Sequence, residues 1–203
     1  SQNLKTELIS NVSHDLKTPL TGIKNYVELL NDPSISEEDK KGYLERLNQY
    51  TDRLSILITD LFEVSKANSG NIDLEYSDIN IIEFMEQVCA ENEELLKAKN
   101  LQLVTNLPEK EIHVCLDGNK TYRIFENLFT NISKYALENT RVFLDVKDIG
   151  NSVMITMKNT SKAPLDFDSD ITERFVRGDK SRHESGSGLG LAIVKSFTEV
   201  QNG

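Results

Sequence analysis

Two long amphipathic stretches open the chain, and they constrain its fold more than any other feature. The apolar residues of the first lie on one side of a helical wheel, flanked by Leu4 and Leu20; they are Leu8, Val12, Leu16, Ile23, Val27 and Leu30. The apolar residues of the second recur at three- and four-residue spacing; they are Leu44, Leu47, Leu54, Leu57, Ile58, Leu61 and Val64. This spacing is that of amphipathic helices and is close to a coiled-coil seam.

The sequence NDPSIS between the two stretches predicts a turn. Ser36 is expected to cap the second helix, because three acidic residues follow it and an N-terminus favours negative charge. Two helices with one apolar stripe each cannot bury both stripes well. We therefore expect the hairpin to form a four-helix bundle with a second copy. The alternative is that it packs against the rest of its own chain.

The remaining sequence predicts an α+β fold. Helices are expected over residues 79–98 and 119–138, and in GLGLAIVKSFTEV. Strands are expected in LQLVTNL and IHVCLD, and a hairpin is expected in TRVFLDVKDIGNSVMITMKN. We divide the chain into a helical hairpin at 1–67, a linker at 68–77 and a mixed domain at 78–203.

Composition excludes several classes of function. The 203-residue chain has a formal net charge of −10, which argues against binding nucleic acid phosphates or adhering to anionic membranes in general. Cys89 and Cys115 form neither a disulfide framework nor a zinc pattern, which fits a reducing, cytosolic setting. His113 and Cys115 together are too few ligands for a metal site. No apolar run is long enough to span a membrane.

His14 lies almost opposite the apolar stripe of the first helix, on the side of Thr18. A core histidine belongs on the stripe, so we expect His14 to face solvent or a partner. Asp15 beside it favours the basic tautomer of the imidazole and can accept its proton. Pro19 removes a helical hydrogen bond to the carbonyl of Asp15 and is expected to bend the helix. An imidazole oriented in this way is a good nucleophile, although many surface histidines have no function.

Two further segments have the chemistry to bring an electrophile to such a nucleophile. In GSGLGL, residues 186–191, glycines before a helix let backbone N–H groups approach phosphates. In FENLFTNISKYA, Asn127, Asn131 and Lys134 share one helical face. An amide oxygen can ligate Mg²⁺, and a lysine can contact a phosphate. Alone, the first could be a structural turn and the second a solvated polar face.

Together the three segments resemble a sensor histidine kinase of the two-component systems. SHDLKTPLTG is similar to the family's H-box, FENLFTNISKY to its N-box, SGSGLGLAIVK to its G2 box and ITERFVRGDKSR to its F-box. The match covers nearly the whole chain in the family's order. It implies a dimeric four-helix bundle that carries the phospho-accepting histidine, followed by an ATP-binding α/β sandwich related to gyrase-type ATPases.

The resemblance also implies roles for residues. His14 is the phosphoryl acceptor, Asp15 the general base, and Thr18 the residue that helps to orient water in dephosphorylation of the regulator. Asn131 is the Mg²⁺ ligand. The residues implied in ATP binding are Asn127, Asn131, Lys134, Tyr135, Asn159, Arg177, Gly186, Gly188, Leu189, Gly190 and Leu191. The implied partners are a second copy and the receiver domain of a cognate response regulator.

The sequence departs from the family's pattern in three places. Asn159, in MKNTSKAP, takes the position of an aspartate that reads adenine, and the glycines of that box are absent. The family usually continues with two more strands after a segment such as EVQNG, so we expect the domain to be C-terminally truncated. Sensor and membrane segments are expected to precede the first residue, which makes the chain the cytoplasmic portion of a plasma-membrane sensor.

The sequence therefore favours an ATP-dependent protein-histidine kinase that phosphorylates His14, transfers the group to a regulator aspartate and also acts as a regulator phosphatase. The altered segment around Asn159 supports a second hypothesis, a catalytically weak dimeric scaffold that docks a response regulator. An ATPase of the gyrase-like superfamily is a poor fit, because that class lacks a helical histidine box.

Overall fold

The computed structural model describes residues 2–163 and 189–203; within them, the side chains of 2–12, 14, 15 and 68 lie outside the description. The described residues divide into two compact units. The first contains residues 2–69 and 189–192, and the second contains residues 70–163 and 193–203.

The first unit is built on two long helices, as predicted. They are α1 (Gln2–Leu30) and α2 (Glu37–Asn68). Ser36 is the N-cap of α2, and its hydroxyl accepts a hydrogen bond of 3.1 Å from the backbone N–H of Asp39. The first turn of α2 carries three carboxylates, which complement the positive end of the helix dipole. The predicted turn and cap are therefore confirmed.

The two helices cover each other's apolar residues only in part. Leu57 and Val64 on α2 are buried, and Ile23 on α1 is half-buried. Four of the apolar residues predicted from the spacing are exposed, and we call them the exposed apolar stripe; they are Leu20, Val27, Leu44 and Ile58. Their spacings, seven residues on α1 and fourteen on α2, keep each pair on one side of its helix. The predicted apolar residues of each helix are thus partly buried and partly exposed.

The second unit contains three helices and two small sheets. The helices are α3 (Ile81–Lys97), α4 (Gly118–Tyr135) and α5 (Gly190–Val200). The first three residues of α5 belong to the first unit. The strands are β1 (Tyr76–Asn80), β2 (Gln102–Asn106), β3 (His113–Asp117), β4 (Arg141–Asp148) and β5 (Val153–Asn159). In one sheet β1 pairs antiparallel with β3; in the other, β4 pairs parallel with β2 and antiparallel with β5.

The strand β1 was not predicted. Its sequence, YSDIN, has little apolar alternation, and its one half-buried apolar residue, Ile79, pairs with Val114 of β3. The strand ends at Asn80, whose side chain caps α3 by accepting from the N–H of Ile82, so the helix begins at Ile81 rather than at residue 79. The other four strands and the hairpin between β4 and β5 agree with the prediction.

The core of the second unit lies between its helices and the inner faces of its strands. Alternate residues of β4 point inward and are fully buried: Val142, Leu144 and Val146. Met85 of α3 and Phe129 of α4 are 0% exposed against them. The amphipathic pattern of α4 follows from this packing, since one face is buried in the core and the opposite face is polar.

The two cysteines of the chain have different surroundings. Cys89 on α3 is buried, and this burial, with the nearby Glu86 carboxylate, raises the pKa of its thiol to about 11. Cys115 on β3 is exposed. Across the described ranges, no helix combines the length and the apolar character needed to cross a membrane.

Candidate active site

The helix α4 carries the polar face that the sequence singled out. Asp117 caps it, accepting a 2.9 Å hydrogen bond from the N–H of Lys120. The same carboxylate accepts from the N–H of Glu75 at 2.9 Å, and the N–H of Asp117 donates to Gln201 Oε1 at 2.8 Å. The start of α4 is therefore tied both to the segment before β1 and to the end of α5.

A hydrogen bond between two side chains joins α4 to α3. Glu91 on α3 accepts hydrogen bonds from Gln87 and from the hydroxyl of Tyr122 on α4, which lower the pKa of its carboxyl group. The same bond to Glu91 raises the pKa of Tyr122. This hydrogen bond and the burial of Phe129 fix the orientation of α4 about its own axis. The polar face of α4 therefore points away from the core.

The predicted nucleotide-binding residues of α4 are Asn127, Asn131, Lys134 and Tyr135, and all four are half-buried. A freely solvated polar face would leave such side chains exposed. The amide nitrogen of Asn127 donates to the carbonyl of Arg123 at 2.8 Å, which fixes the orientation of the amide. The face therefore offers amide groups and an ammonium group, which are suited to a cation and to phosphate oxygens.

The structure brings Asn159 to the C-terminal end of this helix. Asn159 is the last residue of β5, and the residues after it pair with the end of α4. The N–H of Leu137 donates to the carbonyl of Thr160 at 2.7 Å, and the N–H of Lys162 donates to the carbonyl of Tyr135 at 2.9 Å. Asn159 thus lies on the segment that adjoins Lys134 and Tyr135, although the two stretches are far apart in sequence.

Lys162 belongs to this junction and was not singled out in the sequence. Its Nζ donates a 3.0 Å hydrogen bond to the carbonyl of Lys134. A cation at this position satisfies one of the carbonyls that a helix leaves unpaired at its C-terminus. Nothing local in the sequence indicates this contact, because it joins residues 28 positions apart.

The second half of the predicted nucleotide site is described only in part. Arg177, Gly186 and Gly188 lie outside the described residues. Leu189 is fully buried in the first unit, where it packs against Leu57. Two further predicted residues, Gly190 and Leu191, form the first turn of α5 and are half-buried.

The predicted phosphoryl acceptor lies on α1. His14 and Asp15 are helical residues of α1, but their side chains lie outside the description. Thr18, one turn later, is exposed. Pro19 lies inside α1, which is assigned as one continuous helix, and its ring is fully buried.

The described residues contain no group of three or more His, Cys, Asp or Glu side chains able to hold a metal ion. His113 contacts carboxylates instead, with Nδ1 3.1 Å from Asp78 Oδ2 and Nε2 3.8 Å from Glu111 Oε2. Mg²⁺ in nucleotide sites needs only one or two protein ligands, because the phosphates and waters supply the others. The amide of Asn131, next to Lys134 on the same face, fits that lesser requirement.

Two family models match the chain, one in each half. The model of the His Kinase A (phospho-acceptor) domain matches residues 4–70, which include His14. The model of the Histidine kinase-, DNA gyrase B-, and HSP90-like ATPase matches residues 116–203, which include α4 and Asn159. The chain belongs to the sensor histidine kinases of two-component systems. The predicted family and fold class are confirmed.

Curated relatives agree with this assignment. The chain is 33% identical to Sensor protein kinase WalK of Staphylococcus aureus over 98% of its own length and 49% of that protein. It is equally similar to WalK of Staphylococcus aureus strain JH9, of which it covers 33%. The chain therefore spans about half or a third of the length of these relatives.

Solved structures show the same fold. Acinetobacter baumannii histidine kinase AdeS matches with a TM-score of 0.72 and 16% identity, over 92% of this chain and 86% of that one. Full-length ShkA in complex with AMPPNP matches with a TM-score of 0.66 and 22% identity, over 97% and 41%. Histidine kinase ThkA in complex with response regulator protein TrrA matches with a TM-score of 0.56 and 22% identity, over 74% and 44%. At these identities the likeness concerns the fold alone.

Proposed function

We propose that the chain is the catalytic core of an ATP-dependent protein-histidine kinase whose phosphoryl acceptor is His14. The observation that carries the proposal is the ordered pair of family matches, with His14 inside the first and the polar face of α4 inside the second. The proposed division of the chain is a phosphotransfer hairpin at 1–67, a linker at 68–77 and an ATP-binding domain at 78–203.

Nucleotide binding is assigned to the polar face of α4, to Asn159 and to the G2 residues. Asn131 holds Mg²⁺ through its amide oxygen, and Lys134 contacts phosphate. Asn159 accepts from the adenine amino group through its amide oxygen, without the charge of a carboxylate. Asn127 and Tyr135 line the same site, and the G2 residues with Arg177 contact the phosphates. That ShkA was solved with AMPPNP supports this choice of nucleotide.

His14 performs the chemical step. Its imidazole nitrogen forms a bond to the γ-phosphorus while the bond from that phosphorus to the β–γ bridging oxygen breaks, so ADP leaves with the electron pair. Asp15 accepts the proton that the imidazole loses. ATP with Mg²⁺ supplies the electrophilic phosphoryl group and shields its charge. The contribution of the protein is mainly positioning and electrostatic stabilisation.

The proposed partners are a second copy of the chain and a response regulator. The exposed apolar stripe supports dimerisation, because a four-helix bundle would cover it. The phosphoryl group passes from His14 to an aspartate of the receiver domain, and Thr18 orients water when the kinase removes it again. ThkA was solved in complex with the response regulator protein TrrA, which supports this class of partner. The chain is proposed to be the cytoplasmic portion of a plasma-membrane sensor.

One observation favours a second function, that of a catalytically weak dimeric scaffold that docks a regulator. The strand β5 ends at Asn159, which stands in place of a charged acceptor, and residues 160–162 after it contain no glycine and are hydrogen-bonded to Tyr135 and Leu137 at the end of α4. A site of this kind can bind nucleotide too weakly for turnover.

The experiment is autophosphorylation with γ-labelled Mg-ATP, made on the 203-residue chain and on a version of the protein extended at its C-terminus. Acid-labile, alkali-stable label that disappears in His14→Gln supports the kinase. Label of the same acid-labile, alkali-stable kind that persists in His14→Gln contradicts it. Folded proteins that take up no label in either version, and show no binding of Mg-ATP by titration, favour the scaffold.

Asn159→Asp and Asn159→Ala test the adenine contact. A carboxylate accepts a hydrogen bond more strongly than an amide, so the aspartate variant is expected to bind Mg-ATP about tenfold more tightly, a change of about 1.4 kcal/mol. The alanine variant is expected to bind more weakly than the natural chain. Equal affinities for all three proteins would place the adenine elsewhere. Leu137→Ala, at an exposed residue of the same junction, is the control.

A further inference from the structure

A glycine of α1 lies directly against an aromatic ring of α2. A Cβ atom built on Gly22 of α1 would lie 2.7 Å from Cζ of Tyr50 on α2 and 2.8 Å from its two Cε atoms. Real Cβ atoms essentially never come within 3.0 Å of a heavy atom outside their own stretch of chain. Any side chain at position 22 must therefore displace the ring or separate the helices.

The ring of Tyr50 has little freedom to move away. Tyr26, one turn after Gly22, lies with its ring centroid 6.0 Å from that of Tyr50 and 5.6 Å from that of Tyr43. Tyr43 and Tyr50 are seven residues apart and share one face of α2. All three rings are half-buried, so a shift of Tyr50 would disturb the whole aromatic cluster.

This contact lies close to a missing backbone hydrogen bond in α1. Pro19 has no N–H, so the helix lacks the hydrogen bond to the carbonyl of Asp15. His14 lies on one side of this gap and Gly22 on the other, about 12 Å away along the axis at 1.5 Å per residue. Pro19 is itself fully buried, so packing holds α1 next to this gap.

We infer that Gly22 and Tyr50 are positioning residues for phosphoryl transfer. Their contact sets the distance between α1 and α2, and this distance determines where α1 places His14. The inference rests on the proposed role of His14 as acceptor. Separating the helices at Gly22 moves the reacting nitrogen and leaves the nucleotide-binding residues unchanged. A misplacement of about 1 Å can slow such a step by about 100-fold.

The test compares Gly22→Ala with Gly42→Ala in the version of the protein that labels His14. Gly42 is the matched control, because it is a glycine of α2 with no atom within 4 Å of an added Cβ. We expect Gly22→Ala to lower kcat for autophosphorylation at least about tenfold, with KM for ATP unchanged within about twofold. Gly42→Ala is expected to retain both constants. Circular dichroism and sedimentation show whether each variant keeps its helices and its oligomeric state.

A rescue variant separates positioning from simple damage to the fold. Gly22→Ala combined with Tyr50→Leu removes the ring that the added methyl group meets, so kcat should recover most of the loss. Natural kcat in Gly22→Ala, an equal loss in Gly42→Ala, or no recovery in the double variant would each overturn the inference. If Gly22→Ala does not fold, Tyr50→Leu alone replaces it. Beside Gly22 the smaller side chain leaves a gap that no methyl group fills, so kcat should fall at constant KM, and natural kcat would overturn the inference.

His14→Gln keeps the two proposals distinguishable. If label persists in this variant, the proposed function fails, whatever the result at Gly22. If His14→Gln abolishes the label and Gly22→Ala has the natural kcat, only the positioning role of Gly22 is lost.

Discussion

The helical hairpin and the α/β unit bury their apolar side chains to different degrees. In the α/β unit, helices pack against sheets, and Met85, Phe129, Val142 and Leu144 are all 0% exposed. In the described part of the hairpin unit, Leu57 packs against Leu189, and the exposed apolar stripe remains. A layer of helices on a sheet encloses a core, whereas a pair of helices covers one side of each. The hairpin is therefore the part that gains most from a further partner.

The largest expected change in stability is caused by the loss of a core side chain from the α/β unit. Phe129→Ala removes a fully buried ring and should lower the free energy of unfolding by about 3–5 kcal/mol. Ile149→Ala, in the exposed turn after β4, is the control and should stay within about 0.5 kcal/mol. Chemical denaturation followed by circular dichroism measures both. Similar values for the two variants would contradict the description of Phe129 as a core residue.

The next effect tests whether the exposed apolar stripe is covered by a second copy. Ile58→Glu places a charge in the proposed dimer interface and should weaken dimerisation about 100-fold, or about 2.8 kcal/mol. Ile56→Glu is the control, because Ile56 is 55% exposed but lies about 200° around α2 from Ile58, which is 41% exposed. Sedimentation equilibrium gives the dissociation constants. If the two variants dimerise equally well, or if the natural chain stays monomeric, a second copy does not cover the exposed apolar stripe.

A smaller effect compares two helix caps, one in each unit. Asp117→Ala removes a buried carboxylate that accepts from two backbone N–H groups, so it should cost about 2–3 kcal/mol. Ser36→Ala removes an exposed cap with one such bond and should cost about 1 kcal/mol. The denaturation midpoints of the two variants show which substitution destabilises the protein more. If Ser36→Ala costs more than Asp117→Ala, burial does not explain the difference in stability between the two caps.

Features set by local sequence could be predicted. The hairpin of α1 and α2, the Ser36 cap, the turn at Gly150 and the strands β2 to β5 all follow from periodicity, capping and turn chemistry within short windows. The polar face of α4 also follows from spacing alone. The motif order was specific enough to give the family, which the comparisons confirm.

Features that depend on distant segments could not be predicted. YSDIN forms a strand because β3, more than thirty residues later, supplies its partner. Lys162 reaches the end of α4 only because β4 and β5 return the chain to that point. The division of the apolar residues of α1 into covered and exposed sides depends on where α2 lies. The roles of His14, Asn131 and Asn159 remain predictions that the experiments above test.

The two thiols offer a way to observe this protein without changing its sequence. At pH 8 the Cys89 thiol is both buried and protonated, since its pKa is about 11, whereas Cys115 is exposed on β3. A maleimide fluorophore therefore attaches selectively to Cys115 of the folded chain. The 203-residue chain thus carries a single reporter position, from which nucleotide titrations and subunit exchange can be followed by fluorescence anisotropy.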